Sequence, residues 1–593
     1  MSEKFASEKI KNLRCTMLEK KIDAYIITGG DAHQGEYMAD YWRTRQWLSG
    51  FTGSSGTVVV TNNEAGLWTD GRYFIQAEQE LKGSGITLFK MNEPQVPTYC
   101  EWLKANLPDQ ATISFDGRVL SLSSFKTLKK DLKSKKIFFS YDEDVVGSLW
   151  TDRPPMPASP IFAHDVCFAG QTVAQKLSAV REEMTKKQVD IYLVAALDDI
   201  AWLTNMRGSD IPKIPVFFSY LLITLNDAYL FIDEQKMTPS LHNHLEGILV
   251  CPYDAVFDYI REKSLNKTLM YCPEAISIKL FNSIPAKAES IEDDSIIGKL
   301  KAVKNEVEIK NICNASLKEG VVMVKLLRWL SNNVQNSPTE TDVQNKISQL
   351  RLEQENCLGD SFTTIVAYGK NAAIVHYSPD PGDQIKQDGF LLIDTGGQYL
   401  DGTTDISRTI IMGDITDEMR RDFTLVLKSH LALACTKFLQ GATGAQLDAI
   451  ARVPVWAAGM DYKHGTGHGI GFCLSVHEGP YNISMRTSEH KLLAGMLCTN
   501  EPGIYKANHY GIRTENVMLV KEIEKTDFGI FLGFELLSLC PIEIKALDMT
   551  LLTQEEIDFL NSYHQMVYEK LKPFLNKEEV EWLREATKNI SSK

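Results

Sequence analysis

Nothing in this 593-residue chain approaches an apolar run long enough to span a bilayer, which removes membrane-spanning helices from its reading. Positive charge is in deficit, with 63 Lys and Arg against 77 Asp and Glu and a net of −14. A nucleic-acid or anionic-membrane surface needs a clustered basic face, so neither is expected as a partner. No two of the 11 cysteines stand at CxxC spacing, and their number is odd. Free thiols in a reducing compartment follow, and with them a cytoplasmic location. The opening MSEKFASEKIKNL lacks the apolar centre of a secretory signal. What is present is an ordinary globular composition, 44% hydrophobic and 24% charged, at a length that implies three or four domains.

The first half of the chain echoes itself. IDAYIITGGD (22–31) is followed by WLSGFTGSSG (47–56) and TVVVTNNEAGLWTD (57–70). VDIYLVAALD (189–198) is followed by WLTNMRGSDI (202–211) and YLLITLNDAYLFID (220–233). Short apolar runs bounded by Gly, Asn and Asp read as buried strands, so two tandem α/β modules are expected over 1–160 and 161–300. TDRPPMPASP (151–160) carries four prolines and reads as a stiff extended seam. Beyond it, helical spacing predicts a long amphipathic helix over 299–333, with further helices over 341–355 and 416–440. The tail, 551–593, reads as a charged surface helix pair without chemistry, opened by a capping box in TQEEIDFL.

The region 301–550 carries the residues of interest. FLLIDTGGQYLDGTTDISRTIIMG (390–413) reads as a hairpin whose turn is centred between Tyr399 and Leu400. That register sets Asp394 opposite Asp405, and facing carboxylates repel unless a cation lies between them. Two solvated turn aspartates are the alternative for this hairpin taken alone; Asp401 is read as a turn residue. TNEPGIYKANHYGIRTENVMLV (499–520) repeats the arrangement, with Glu501 and Glu515 on either side of a turn at Asn508. Between the hairpins, HGTGHGIGFCLSVHEGP (464–480) places His464, His468 and His477 within fourteen residues of a chain that has 12 histidines. Gly465, Gly467, Gly469 and Gly471 argue against a zinc-binding helix there and suggest close approach of backbone to a metal or substrate. Asp, Asp, His, Glu and Glu form a hard, oxygen-rich donor set suited to two divalent ions and to hydrolysis. Cys498 is read as a buried packing thiol.

In this order Asp394, Asp405, His468, Glu501 and Glu515 resemble the metal signature of the pita-bread metallopeptidases. HGTGHGIG…VHEGP, EPGIY and GIRTEN narrow the resemblance to the Xaa-Pro aminopeptidase (aminopeptidase P) family, in its long three-domain cytosolic form. WTDGRYFIQA (68–77), LDDIAWLTNMRGSDI (197–211), PVFFSY (215–220) and YHQMVYEKL (563–571) extend it along the chain. The resemblance implies an α/β fold of two creatinase-like domains ahead of a pita-bread catalytic domain (301–550) and a helical extension (551–593). It implies two divalent ions, Mn²⁺ foremost with Co²⁺ or Zn²⁺ as alternatives, and a homodimer acting on proline-containing peptides. Asp394 and Asp405 would hold one ion and His468, Glu501 and Glu515 the other, with Asp405 and Glu515 bridging. Glu501 would serve as general base for a water shared by the ions. His376 and His477 would hydrogen-bond the scissile carbonyl or the proline side of the substrate, His464 would gate or line the pocket, and Arg72 would contact substrate from its own or the neighbouring subunit. Arg513, beside Glu515, is a candidate for orienting a carboxylate. The rivals are a prolidase restricted to dipeptides, a metal-free creatinase-like hydrolase, and a non-catalytic peptide-binding module.

Overall fold

A computed structural model of the chain describes residues 2–379 and 381–591. They divide into two compact units, Met1–Ala163 with Gln171–Ile297, and His164–Gly170 with Gly298–Lys593.

In the first unit, β1 (Ala24–Ile27), β2 (Thr57–Thr61), β3 (Ala65–Thr69), β4 (Thr87–Lys90), β5 (Thr112–Ser114) and β6 (Phe138–Ser140) form one sheet, ordered β4-β3-β2-β1-β5-β6. A second sheet comprises β7 (Ile191–Val194), β8 (Ser219–Thr224), β9 (Ala228–Ile232), β10 (Leu249–Pro252), β11 (Thr268–Tyr271) and β12 (Glu289–Glu292). Its order, β10-β9-β8-β7-β11-β12, repeats the first strand for strand. Strand directions repeat as well: β1–β2 and β2–β3 are antiparallel, as are β7–β8 and β8–β9. The echoed sequences fall on equivalent strands, because in both modules the apolar runs build the sheet centre. Val59 and Ile113 of one sheet share a core with Leu193, Leu222 and Leu269 of the other. Residues 151–160 contain neither helix nor strand, as their prolines predict.

In the second unit, the helix read over 299–333 is two helices, α1 (Ile296–Ala302) and α2 (Glu306–Asn333). The break is built by Asn305, whose side chain accepts from the Val307 and Glu308 amides while the Glu308 carboxylate accepts from the Asn305 amide. Periodicity runs through such a capping box without registering it. Helices α3 (Glu340–Leu352), α4 (Asp417–Ala434), α5 (Gly444–Ala457), α6 (Gln554–Leu571) and α7 (Lys577–Ala586) complete the helical layer. Thr553 and Glu556 form the expected capping box on α6. The tail is more than surface, however. Ile557, Leu560, Tyr563, Val567 and Leu571 enter the core, and the Tyr563 hydroxyl accepts from Arg408 at 2.9 Å.

The strands of this unit make small sheets around a larger one. β13 (Cys357–Asp360), β16 (Gly397–Tyr399) and β17 (Gly402–Thr403) form one, and β14 (Ile365–Tyr368), β15 (Phe390–Thr395) and β18 (Ile406–Ile411) another. The six-stranded sheet comprises β19 (Phe438–Leu439), β20 (Gly467–Gly469), β21 (Glu478–Ile483), β22 (Leu497–Asn500), β25 (Asn516–Thr526) and β26 (Gly529–Leu536). The hairpin of β23 (Gly503–Lys506) and β24 (Tyr510–Arg513) stands between β22 and β25 in the chain.

Asp401, read as a plain turn residue, is buried where β16 turns into β17. Lys318 of α2 bonds to its carboxylate, joined by the Asn314 amide at 2.6 Å and the Asn356 amide at 3.2 Å. Lys318→Met strands this carboxylate without its cation, which costs about 3 kcal/mol. A fall in the chemical-denaturation midpoint of this unit is the expected result, and an unchanged midpoint contradicts it.

Candidate metal centre

The first acidic hairpin is shifted from its expected register. β15 and β18 pair with Asp394 opposite Ser407 and Thr395 opposite Ile406, so Asp394 does not face Asp405 directly. The inner pair Tyr399–Gly402 sets the turn between Leu400 and Asp401, one residue later than read. The cause is tertiary: Lys318 holds Asp401, and the Leu400 amide donates to Asn356 O at 2.9 Å. Because side chains alternate with a period of two, a two-residue shift keeps Asp405 on the face of Asp394, one diagonal step away.

The second hairpin has the register read from the sequence. Asn500 pairs with Asn516 and Gly503 with Arg513, in one continuous register that turns at Asn508, whose φ is +63°. Glu501 and Glu515 therefore oppose each other where the ladder opens, beside Pro502, which has no N–H to donate. Glu515 is tied across to the first hairpin. Its amide donates to Ser407 O at 3.1 Å, and the Ser407 hydroxyl donates to its carboxylate at 2.7 Å.

His468 lies on strand β20, not on a helix. The glycines flanking it are required by packing against neighbouring backbone. A Cβ on Gly467 would stand 1.9 Å from Thr499 O, and one on Gly469 would stand 2.3 Å from Glu478 O. The His468 Nδ1 is bonded to Gly469 O at 2.9 Å, which leaves Nε2 turned to the acids, 3.5 Å from Asp405 and 3.7 Å from Glu501.

Donor atoms of Asp405, His468 and Glu515 all lie within 4.8 Å of one another. Burial, with the charge of Asp394 adding, raises the Asp405 carboxyl. Burial, then the charges of Asp405, Glu501 and Asp394, raise Glu515 far above the usual carboxylate range. Burial pushes Glu501 up to about 7 against the pull of His468 and Arg513. Burial alone would lower His468, but its bond to Asp405 and the charge of Glu501 lift it to about 9. One oxygen of Asp394 and one of Asp405 are buried without a hydrogen-bond partner. Repelling acids with orphaned acceptor oxygens around an imidazole nitrogen fit divalent cations.

Asp394 is oriented by Arg513, whose Nη2 donates to Oδ2 at 2.6 Å. The arginine expected to serve a carboxylate does so, at Asp394 rather than at neighbouring Glu515. Its Nη1 donates to Tyr505 Oη at 2.8 Å, and that hydroxyl meets His464 Nε2 at 2.9 Å. Burial, reinforced by Arg513, pushes His464 down to about 3, so it stays neutral. His376 adds a minor electrostatic contribution to the lowering of His464, after burial and Arg513. The residue after it, Tyr377, is anchored through its hydroxyl to Glu340 at 2.7 Å. The His477 ring stands edge-on to His468, centroids 4.4 Å apart. Arg72 belongs to the first unit, where it grips Asp70 through two bonds of 2.8 Å. Cys498 is fully buried in the core, as read.

Tyr505, Ser407 and a network behind the glutamates escaped the sequence reading. Arg408 donates to Glu515 O at 2.7 Å, Ser407 O at 2.9 Å, and Asn516 Oδ1 at 2.9 Å. His430, held neutral near 3 by burial and by Arg408, contacts Asn500 O and Asn516 Nδ2, both at 3.1 Å. A clue was available: in TNE and TEN an asparagine adjoins each glutamate, and on a strand it must point away from the acids, into the core.

Comparison with known proteins follows the same division. Two family models described as creatinase/prolidase N-terminal domain match the chain, one over residues 9–145 and the other over 152–308. Metallopeptidase family M24 matches 310–522, and the C-terminal region of peptidase M24 matches 530–590. A probable Xaa-Pro aminopeptidase P of Laccaria bicolor is 38% identical, over 98% of this chain and 92% of its own. Xaa-Pro aminopeptidase 1 of Dictyostelium discoideum is 38% identical, over 98% of this chain and 96% of its own. The X-prolyl aminopeptidase of Caenorhabditis elegans, described as a cytosolic enzyme with a di-nuclear active site, superposes with a TM-score of 0.95. It is 35% identical and covers 99% of this chain and 100% of its own. With two creatinase-type domains ahead of an M24 domain, and relatives matched along nearly its whole length, the chain belongs to the Xaa-Pro aminopeptidase (aminopeptidase P) family of M24 metallopeptidases.

Proposed function

We propose that the chain is a metal-dependent aminopeptidase that removes the N-terminal residue from peptides whose second residue is proline. The convergence of Asp405, His468 and Glu515 within 4.8 Å, beside two further carboxylates, carries this reading. Asp394 and Asp405 would hold one ion, and His468, Glu501 and Glu515 the other. One imidazole among four carboxylates suits Mn²⁺, with Co²⁺ and Zn²⁺ as alternatives. Bound there, the two cations supply Lewis acidity and a water of lowered pKa.

The chain's own residues supply the rest. Glu501 takes the proton of the attacking water, and that proton passes to the prolyl nitrogen as the C–N bond breaks. His376 and His477 donate to the carbonyl oxygen as it gains negative charge. His464 lines the pocket and steadies Tyr505, and Arg72 contacts the substrate from its own or a partner's subunit. Proline lacks an N–H and restricts the residue before it, so its bonds call for a dedicated pocket. Ile450, Val453 and Trp456, exposed at one helical spacing on α5, support a homodimer. The working location is the cytosol, and the domains are 1–160, 161–300, 301–550 and 551–593.

Release of arginine from Arg-Pro-Pro, with Arg-Ala-Ala and the dipeptide Arg-Pro as controls, tests the reading after EDTA stripping and Mn²⁺ restoration. Metal-dependent cleavage of Arg-Pro-Pro alone is expected. Cleavage of the dipeptide alone would make the chain a prolidase, and silence with no bound metal would favour a binding module. Glu501→Ala is expected to lower kcat at least 10²-fold or so, and Asp405→Ala to lose bound metal and activity together. Wild-type turnover in either variant removes that residue from the mechanism.

A further inference from the structure

Glu478 follows His477 directly and opens β21. Its carboxylate is buried, although Gly479 beside it is exposed. Two lysines meet that carboxylate: Lys301 Nζ donates to one oxygen at 3.0 Å, and Lys304 Nζ donates to the other. Both ammonium groups are as buried as the acid, with side-chain exposures of 3% and 1% against its 2%. Lys301 lies at the end of α1, and Lys304 in the break before α2. Lys304 is itself fixed, its Nζ donating to Lys301 O at 3.0 Å and its amide to Gly495 O at 2.9 Å. Adjoining Val303 bridges to Met496, directly before the strand that leads to Glu501.

Taking three ionisable groups out of water is strongly unfavourable, and apolar residues would fill the same space. The backbone shows what the charges add. β20 and β21 pair at Gly467–Ile483 and His468–Asn482, and then the register jumps to Gly469–Glu478. Residues 479–481 loop out between two successive pairings, so the ladder leaves His477 beyond an irregularity with one pair to hold it. A carboxylate gripped at both oxygens is fixed in direction as well as in place.

We propose that Lys301 and Lys304 are positioning residues for the reaction. By clamping Glu478 they set the direction of His477 against His468 and the scissile carbonyl. The inference rests on the reading of His477 given above and adds how that histidine is held.

Removing one partner strands a buried charge, so the triad is best replaced as a unit, Lys301→Met/Lys304→Met/Glu478→Met. This variant is expected to keep its thermal midpoint, its bound Mn²⁺ and its KM for Arg-Pro-Pro, while kcat falls roughly 10- to 100-fold. In a His477→Ala background, the same triple replacement is expected to change kcat less than about twofold, because the clamp acts through that residue. Full kcat in the triple variant overturns the clamp, and so does a loss that adds undiminished to that of His477→Ala. Wild-type kcat in His477→Ala overturns the reading of His477 instead. Lys304→Arg keeps the charge and alters its reach, and it carries the test if the triple variant does not fold. A several-fold fall in kcat at unchanged metal content is expected of it, and unchanged kcat overturns the clamp.

Discussion

Four carboxylates, from Asp394, Asp405, Glu501 and Glu515, are gathered below the surface on two hairpins, and their mutual repulsion is the constraint on which the rest of this unit depends. Unaided, such a group would part or take up protons, and the carboxyls of Asp405, Glu501 and Glu515 are raised, by burial first and by their neighbours' charges in addition. The structure resists it with fixed partners. Arg513 grips Asp394, Ser407 grips Glu515, and Arg408 holds the Glu515 carbonyl from behind. What remains open on the inner side, orphaned oxygens and the Nε2 of His468, has the chemistry to suit a divalent cation.

The histidines show a related division of labour. The chain beside three of them is anchored: Tyr377, after His376, to Glu340; Glu478, after His477, to two lysines; and His464 by its own bonds to Gly465 and Tyr505. Burial keeps His464 neutral, while acidic neighbours lift His468. The protonation of these rings thus follows from position rather than from residue type. Rigid support of this kind matters because small displacements of a reacting group carry large rate penalties.

Much of this was legible in the sequence, for identifiable reasons. Buried strands announce themselves as apolar runs, so the echo of 22–31 in 189–198 foretold two sheets of one topology. The Glu501–Glu515 hairpin kept its register because Asn508 fixes its turn locally. The Asp394–Asp405 hairpin slipped by two because its turn obeys Lys318, eighty-three residues upstream of Asp401. That Gly467 and Gly469 make room for the carbonyls of Thr499 and Glu478 is something only the folded strand order supplies. The break at Asn305, the inward face of α6 and the clamp on Glu478 share one property. Each depends on a polar group meeting a partner distant in sequence or on a cap hidden inside a periodic run, and apolar periodicity records neither.

On the function proposed above, this acidic cluster is arranged around two divalent cations. Crystals of the Mn²⁺-loaded protein, measured at the manganese absorption edge, test it most directly. Two anomalous peaks per chain are expected, ligated by Asp394, Asp405, His468, Glu501 and Glu515. A single peak, or peaks bound by other residues, would contradict it.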